Sequence, residues 1–247
     1  MRRQLIIAGF TVLAAGILLF AIIMTGKAAR NAMRDADRYQ LPFTRIECET
    51  PPGLDREAFL GEVRYYGEFP ESVSVVDDTL PPRLSEALVR HPWVERVEKV
   101  ELGPGKRVRA AVTFRTPVLA VVTETIRAVD ARGVLLPRGA DTLNLPHLRT
   151  PSPPGASGRP WGDPRVESVA AVAGLLHAHQ SQLKLVDVRF VGDQLRLRRG
   201  DAPGAAEVIW GAGDDSEPPP ALKLARLLDQ AKRLDEPGGV VIDLRRE

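Results

Sequence analysis

The sequence predicts an α+β chain. A single N-terminal transmembrane helix comes first, then a small α/β domain in the order strand–helix–helix–strand–strand, then a β-rich domain with flanking helices. Three observations carry this. Residues 5–24 (LIIAGFTVLAAGILLFAIIM) hold no charge and are almost all apolar. Between 43 and 115, two stretches of helical apolar spacing lie among shorter segments of strand character. Beyond 117, short alternating or continuous apolar runs recur, punctuated by Gly, Pro and Asp.

The apolar run is long enough to cross a bilayer. A helix rises about 1.5 Å per residue, so about 20 residues span a hydrocarbon core of about 30 Å. It exceeds the roughly 7–15 apolar residues of a cleavable signal, and Lys27-Ala28-Ala29 makes a poor cleavage site. The expectation is a retained anchor over 5–25, with a short tail at 1–4. The polar stretch 26–40 follows as a juxtamembrane linker. Arg2 and Arg3 precede the span, while Lys27, Arg30, Arg34 and Arg38 follow it. Counting Lys and Arg leans weakly toward keeping the C-terminal flank inside, although long domains translocate largely regardless of charge.

Composition excludes some classes. The 247 residues carry a net charge of +2, with acids and bases mixed throughout and no basic stripe. With aromatic residues at 5%, there is neither an electrostatic footprint nor a stacking surface for nucleic acid. Cys48 is the one cysteine, so no intramolecular disulfide can form. The prolines punctuate periodic segments and no internal repeat is visible.

Each element has its own signal. Residues 43–48 form a strand candidate. Residues 55–66 read as a helix through Phe59, Leu60 and Val63, and 72–76 as short and extended. Pro81 and Pro82 open a second helix, since the first turn tolerates proline. That helix places Leu84, Leu88 and Val89 on one face and stops at His91, because Pro92 disfavours helix before it. Residues 94–102 form an imperfectly alternating strand and Gly103-Pro104-Gly105 a turn. Residues 107–115 alternate cleanly, with Val108, Ala110, Val112 and Phe114 opposite Arg107, Arg109, Thr113 and Arg115. Two helices on one face of a small sheet would bury this region.

In the second half, 118–122 is a continuous apolar run. Residues 126–129 and 134–136 flank the turn Asp130-Ala131-Arg132-Gly133. Residues 150–164 form a Pro/Gly/Ser loop, and 165–180 a helix with Val169, Val172, Ala173 and Leu176 on one face. Residues 186–190 and 195–197 flank Gly192-Asp193 as a tight hairpin. Residues 208–210 form a strand and 221–234 a helix with Leu224, Leu227, Leu228 and Ala231 inward. Gly238-Gly239 breaks that helix before a terminal strand at 240–244.

No catalytic, metal-binding or cofactor-binding set emerges. His177 and His179 lie two apart on a helix, so they point about 200° apart and cannot share a metal. Zinc helices space their histidines by four. His91 and His147 have no neighbouring ligand types. No nucleophile elbow, zinc-protease helix or phosphate-cradling glycine loop is present. Asp214, Asp215 and Glu217 cluster in GAGDDSEPPP, which reads as a solvated loop; calcium would need more widely spaced oxygens. No small-molecule substrate is implied.

His91-Pro92-Trp93-Val94, the alternating strand after it and Arg115-Thr116-Pro117-Val118-Leu119-Ala120 together resemble the FtsQ/DivIB family of bacterial cell-division proteins. The likeness continues at Val129-Asp130-Ala131-Arg132-Gly133-Val134, Lys223-Leu224-Ala225-Arg226-Leu227 and Ile242-Asp243-Leu244-Arg245. It covers nearly the whole chain in the family's order. One departure is Phe114, where the family usually carries glutamate; another is that only two residues follow Arg245. The resemblance implies a POTRA-like domain over 41–117 and a β-rich domain over 118–247. It implies a bitopic protein of the cell inner membrane, N-terminus cytoplasmic and both domains extracytoplasmic, at the division septum. Its function would be divisome scaffolding, linking early division proteins to the septal peptidoglycan synthesis complex by protein–protein contacts and not by catalysis. Its partners would be small single-span coiled-coil division proteins of the FtsB/FtsL type, with membrane lipid around the anchor.

The implied docking mode is strand addition along Val240, Val241, Ile242, Asp243, Leu244 and Arg245. Arg245 and Arg189 would lend specificity, and the short C-terminus implies a smaller augmented sheet. Arg107, Arg109 and Arg115 are a secondary candidate: either a solvated outer face, or a contact for an acidic helix or lipid headgroups. Trp93 belongs in the core where the second helix meets the sheet, unless it is an exposed recognition residue. The alternatives are a POTRA-bearing secretion or envelope-assembly component and a membrane-anchored extracytoplasmic enzyme. The first normally adds POTRA copies or a barrel, and the second needs a nucleophile–base–acid set.

Overall fold

A computed structural model describes residues 36–200, 204–236 and 239–246, with isolated residues between 16 and 26. The expected membrane span at 5–24 lies largely outside the described residues. Among those described, no helix is long and apolar enough to cross a membrane. The chain is a mixed α+β fold whose strands, among the described residues, form three sheets. It divides into two compact units. One comprises Met1–Thr50, Asp55–Leu88 and Val97–Val112; the other comprises Pro51–Leu54, Val89–Arg96 and Thr113–Glu247.

The first unit begins with β1 (Gln40–Pro42), a 3-10 turn over Phe43–Arg45, and β2 (Glu47–Cys48). Helix α1 (Arg56–Tyr66) starts where Asp55 accepts a hydrogen bond from the Ala58 N–H at 2.8 Å, an N-cap that satisfies one orphan donor. Phe59, Leu60 and Val63 are fully buried, as their spacing predicts. Gly67 ends the helix, and a Cβ there would collide with the Phe69 ring and Ala87. After β3 (Ser72–Ser74), Asp77 caps the next turn by accepting from the Thr79 N–H and hydroxyl, and α2 (Leu80–Arg90) follows with Pro81 and Pro82 in its first turn. Its buried stripe is Leu80, Leu84, Ala87 and Leu88; Val89 is exposed, one 100° step beyond Leu88 and off the expected face. Strands β4 (Val94–Gly103) and β5 (Arg107–Phe114) complete a three-stranded sheet in the order β2-β5-β4, with β2 parallel to β5. β1 pairs antiparallel with β3.

The second unit is built on a seven-stranded sheet. Its strands are β6 (Leu119–Val122), β7 (Ile126–Val129), β8 (His147–Arg149), β9 (Asp187–Val191), β10 (Gln194–Arg198), β11 (Glu207–Gly211) and β12 (Val241–Asp243). Their order across the sheet is β12-β11-β10-β9-β8-β6-β7. The β9–β10 hairpin turns on Gly192 and Asp193 as expected, Gly192 taking φ 63°. Helix α3 (Pro164–His177) is followed by a single turn, α4 (Gln180–Leu183), and later by α5 (Pro220–Asp229), which runs on into a 3-10 turn over Ala231–Asp235. Val166, Val169, Ala170, Ala173 and Leu176 of α3 and Leu227 of α5 share one apolar core with Leu119, Val121, Val188, Leu197, Val208 and Ile242 of the sheet. The helices therefore cover one sheet face.

The reverse face of β6 and β7 is also covered. Ala120 and Ala128, a registered pair, pack with Trp93, Leu136, Ala140 and Leu145, and Phe114 lies against the cluster. Burial on both faces explains the continuous apolar run at 118–122. Trp93 is core, 4% exposed, and packs on this sheet. Trp93→Ala is expected to cost about 3–5 kcal/mol, the usual loss for a truncated core aromatic, read by denaturant unfolding. His91 is buried and its Nδ1 accepts from the Trp93 N–H at 3.3 Å. Within the 150–164 loop Trp161 is buried, its Nε1–H donates to the Ser152 carbonyl, and Pro160 bridges to Val134.

Candidate partner-binding edge

Strand β12 ends the seven-stranded sheet and pairs in parallel with β11 on one side only, with Val241 opposite Glu207, Ile242 opposite Val208 and Asp243 opposite Ile209. The Glu207 N–H donates to the Val240 carbonyl at 2.9 Å and the Leu244 N–H to the Ile209 carbonyl at 3.0 Å. Backbone groups alternate sides along a strand, so Val240, Ile242 and Leu244 turn theirs toward β11, and Val241 and Asp243 turn theirs away from it. Ile242 and Leu244 are buried in the core, while Val241 is 57% exposed. Among the described residues no strand pairs with that outer side. The opposite edge differs. There the Leu136 N–H donates to the Ala128 carbonyl of β7, and Arg127 donates to the Leu136 carbonyl, so the chain after β7 covers it.

Arg245 folds back on this edge. Its Nη2 meets Asp243 Oδ2 at 2.6 Å, its Nε meets Oδ1 at 2.9 Å, and its backbone N–H donates to Oδ1 at 3.1 Å. This fork lowers the Asp243 pKa to about 2. A depressed carboxyl stabilises the fold above its unfolded value and loses that contribution as pH falls through the folded one, so the contribution fades below roughly pH 4 and the pair stays ionic down to about pH 2. An acidic partner group would have to compete with Asp243 for Arg245. Behind the strand, Arg226 of α5 donates to the Arg246 carbonyl at 2.8 Å and tethers the chain end.

Arg189 lies on the outer face, opposite Arg196 in register. Both reach Glu207, at 2.8 and 3.2 Å. Burial raises the Glu207 pKa, but the two guanidiniums outweigh it and hold the carboxyl below its ordinary range. Arg189 thus belongs to a network across β9, β10 and β11, itself three strands in from β12.

Of the secondary candidates, Arg107 and Arg109 both fork onto Glu47 of the neighbouring strand, at 3.2 and 3.1 Å. Arg115 is placed in the second unit and is largely buried, pairing with Asp130 at 2.6 Å. Exposed pairs such as those at Glu47 contribute about 0–1 kcal/mol, whereas the Arg115 pair is part of the fold.

Two residues escaped sequence reasoning. Lys223 is 1% exposed, its ammonium held by the Trp210 carbonyl at 2.7 Å and Glu217 at 2.5 Å. Glu217, expected in a solvated loop, keeps only 8% of its side chain exposed and also accepts from the Ala212 and Gly213 N–H groups, both at 3.0 Å. The bulge between β10 and β11 makes this possible: Gly211 takes φ 104° with its backbone against the Glu217 carboxylate, where a Cβ would overlap it. A signal did exist, because Leu227 and Ala231 follow Lys223 at i+4 and i+8 on the apolar stripe. Among the described residues no group of three His, Cys, Asp or Glu side chains is arranged to hold a metal. No protein-family model matches the chain, and no curated protein matches it significantly.

Proposed function

We propose that this chain is a bitopic membrane scaffold of the bacterial divisome, of FtsQ/DivIB type. It would link early division proteins to septal peptidoglycan synthesis by binding, with its POTRA-like and β-rich domains outside the cytoplasm. The observation that carries the reading is the outer side of β12, whose Val241 and Asp243 backbone groups point away from the sheet. Such an edge is a template for an added strand, in which main-chain bonds give affinity and side chains give specificity. Partners of the small coiled-coil FtsB/FtsL type could add a strand there. Two further observations support it. Ile17, Leu18, Phe20 and Met24 are helical where described and leave their apolar side chains exposed, as lipid contact would require. The first unit carries the strand–helix–helix–strand–strand order that a POTRA-like domain needs, with the short β3 between its helices.

Val241→Pro and Arg245→Glu test the edge. Proline deletes the outward N–H at 241 without touching a β11 hydrogen bond. Arg245→Glu reverses the charge and sets two carboxylates side by side. Each full-length variant should remain in the membrane fraction, fold normally, and recover division partners about tenfold less well in pulldowns, equivalent to about 1.4 kcal/mol. Undiminished recovery by both variants, with folding intact, would remove the site from β12 and turn attention to Arg107 and Arg109. Recovery of secretion proteins in place of division proteins would overturn the divisome assignment.

A further inference from the structure

A separate feature lies on the second unit, where the ends of β8, β9 and β10 meet the first turn of α3. A cavity of about 500 Å³ opens there, and its lining includes Arg149, Arg165, Arg189 and Arg198, with Asp187 as the one carboxylate. Four arginines from four elements thus line one volume. Their engagements differ. Arg189 is committed to Glu207, and Arg198 has its own interactions. Arg165 lies over the Phe190 ring at 5.5 Å, a contact that orients the guanidinium without neutralising it. Among the described residues, neither Arg149 nor Arg165 is ion-paired with a carboxylate. The sequence hides this cluster because its members are far apart in the chain and each is an ordinary surface arginine within its own element.

We infer that this cavity binds a phosphate group. The guanidinium is a planar fork of donors that matches phosphate oxygens two at a time, and it remains charged at any physiological pH. A compact volume suits a small dense anion better than an extended acidic peptide, which would spread its charge along a surface. With Arg189 paired and Arg198 engaged, the charge on offer is that of Arg149 and Arg165, which one phosphoryl dianion would balance. Thr150 lines the same cavity and its N–H is already bonded to the Val122 carbonyl, so side chains, not a backbone cradle, would make the site. The phosphate could arrive on a soluble molecule or on a lipid headgroup.

Titration of the full-length protein in an uncharged detergent separates these sources, with heat of binding as the readout. One arm uses pyrophosphate, the second a short-chain phosphatidylglycerol below its micellar concentration, and the third hexaglutamate. Binding of pyrophosphate, or of the phospholipid alone, supports the site and identifies the source. Arg149→Gln with Arg165→Gln should weaken that binding about tenfold or more, the worth of two lost charge-assisted hydrogen bonds. The control pair Arg107→Gln with Arg109→Gln should leave it unchanged. Binding of hexaglutamate without either phosphate probe would overturn the proposal, as would phosphate binding that both double variants retain in full or no binding in any arm.

Discussion

Lys223→Met is expected to destabilise the second unit by about 3–5 kcal/mol, the usual cost of removing one partner of a buried ion pair. The side chain is unbranched and similar in volume, so packing against Leu227 and Trp210 changes little. What changes is Glu217. Its carboxylate stays buried with two backbone donors but without its cation. Burial pushes the Glu217 pKa up, and the Lys223 ammonium together with the Ala212 and Gly213 N–H groups more than reverses this, holding it below the ordinary glutamate value. Because the folded pKa is depressed, the contribution is present above the unfolded value near pH 4.3 and disappears as pH falls through the folded one. The wild-type chain should therefore lose stability below about pH 4, and Glu217→Gln should flatten that limb. Pairing Lys223→Met with Glu217→Gln should recover most of the loss, because no buried charge is then stranded. Trp210, buried with the Lys223 ammonium 5.7 Å from its ring centre, lets fluorescence follow each denaturant curve. Equal stability of wild type and Lys223→Met would mean that the ammonium is hydrated.

The contrast between Lys223 and β12 shows what the chain discloses. The terminal strand was legible because Val240, Ile242 and Leu244 alternate with Val241 and Asp243, and a period of two fixes both side-chain face and backbone side. Whether that strand lies at an edge or in the middle was not legible, since sheet order depends on non-local pairing. The helices were legible from their apolar stripes, while their caps, Asp55 before α1 and Asp163 with Pro164 at α3, were read as helix and as loop. β8 was missed because three residues, His147–Arg149, are too few to show a period. Yet β8 joins the two halves of the sheet, pairing in parallel with both β6 and β9. The Arg107–Arg115 stripe was read correctly as alternating, but charge on one face does not say which carboxylate waits opposite. Glu47 faces Arg107 and Arg109, while Asp130, fifteen residues beyond Arg115, claims that guanidinium in the interior.

Asp130→Ala should cost about as much as the loss of Lys223, again about 3–5 kcal/mol, for a different reason. Asp130 is 4% exposed and does three things at once. Its Oδ1 accepts from the Arg132 N–H at 2.8 Å and the Val134 N–H at 2.9 Å, while its Oδ2 takes the Arg115 guanidinium at 2.6 Å. The turn it closes is tight. Gly133 takes φ 71°, and a Cβ there would strike Glu167 at the start of α3. Alanine would strand two N–H groups and a guanidinium that is only 13% exposed and whose Nε already has no partner. Asp130→Asn keeps an acceptor for the turn and removes the charge, so it should cost roughly half as much, since hydrogen bonds to charged groups are worth about 1.5–3 kcal/mol. Arg115→Met should match Asp130→Asn, and combining them should add little to either, because both act through one pair. Chemical unfolding of the four variants measures this directly. The same series bears on partner binding. If Arg115 variants lose partners only in proportion to their lost stability, the arginine acts as part of the fold, whereas loss of partners from a fully folded Arg115→Met chain would return it to the interaction surface.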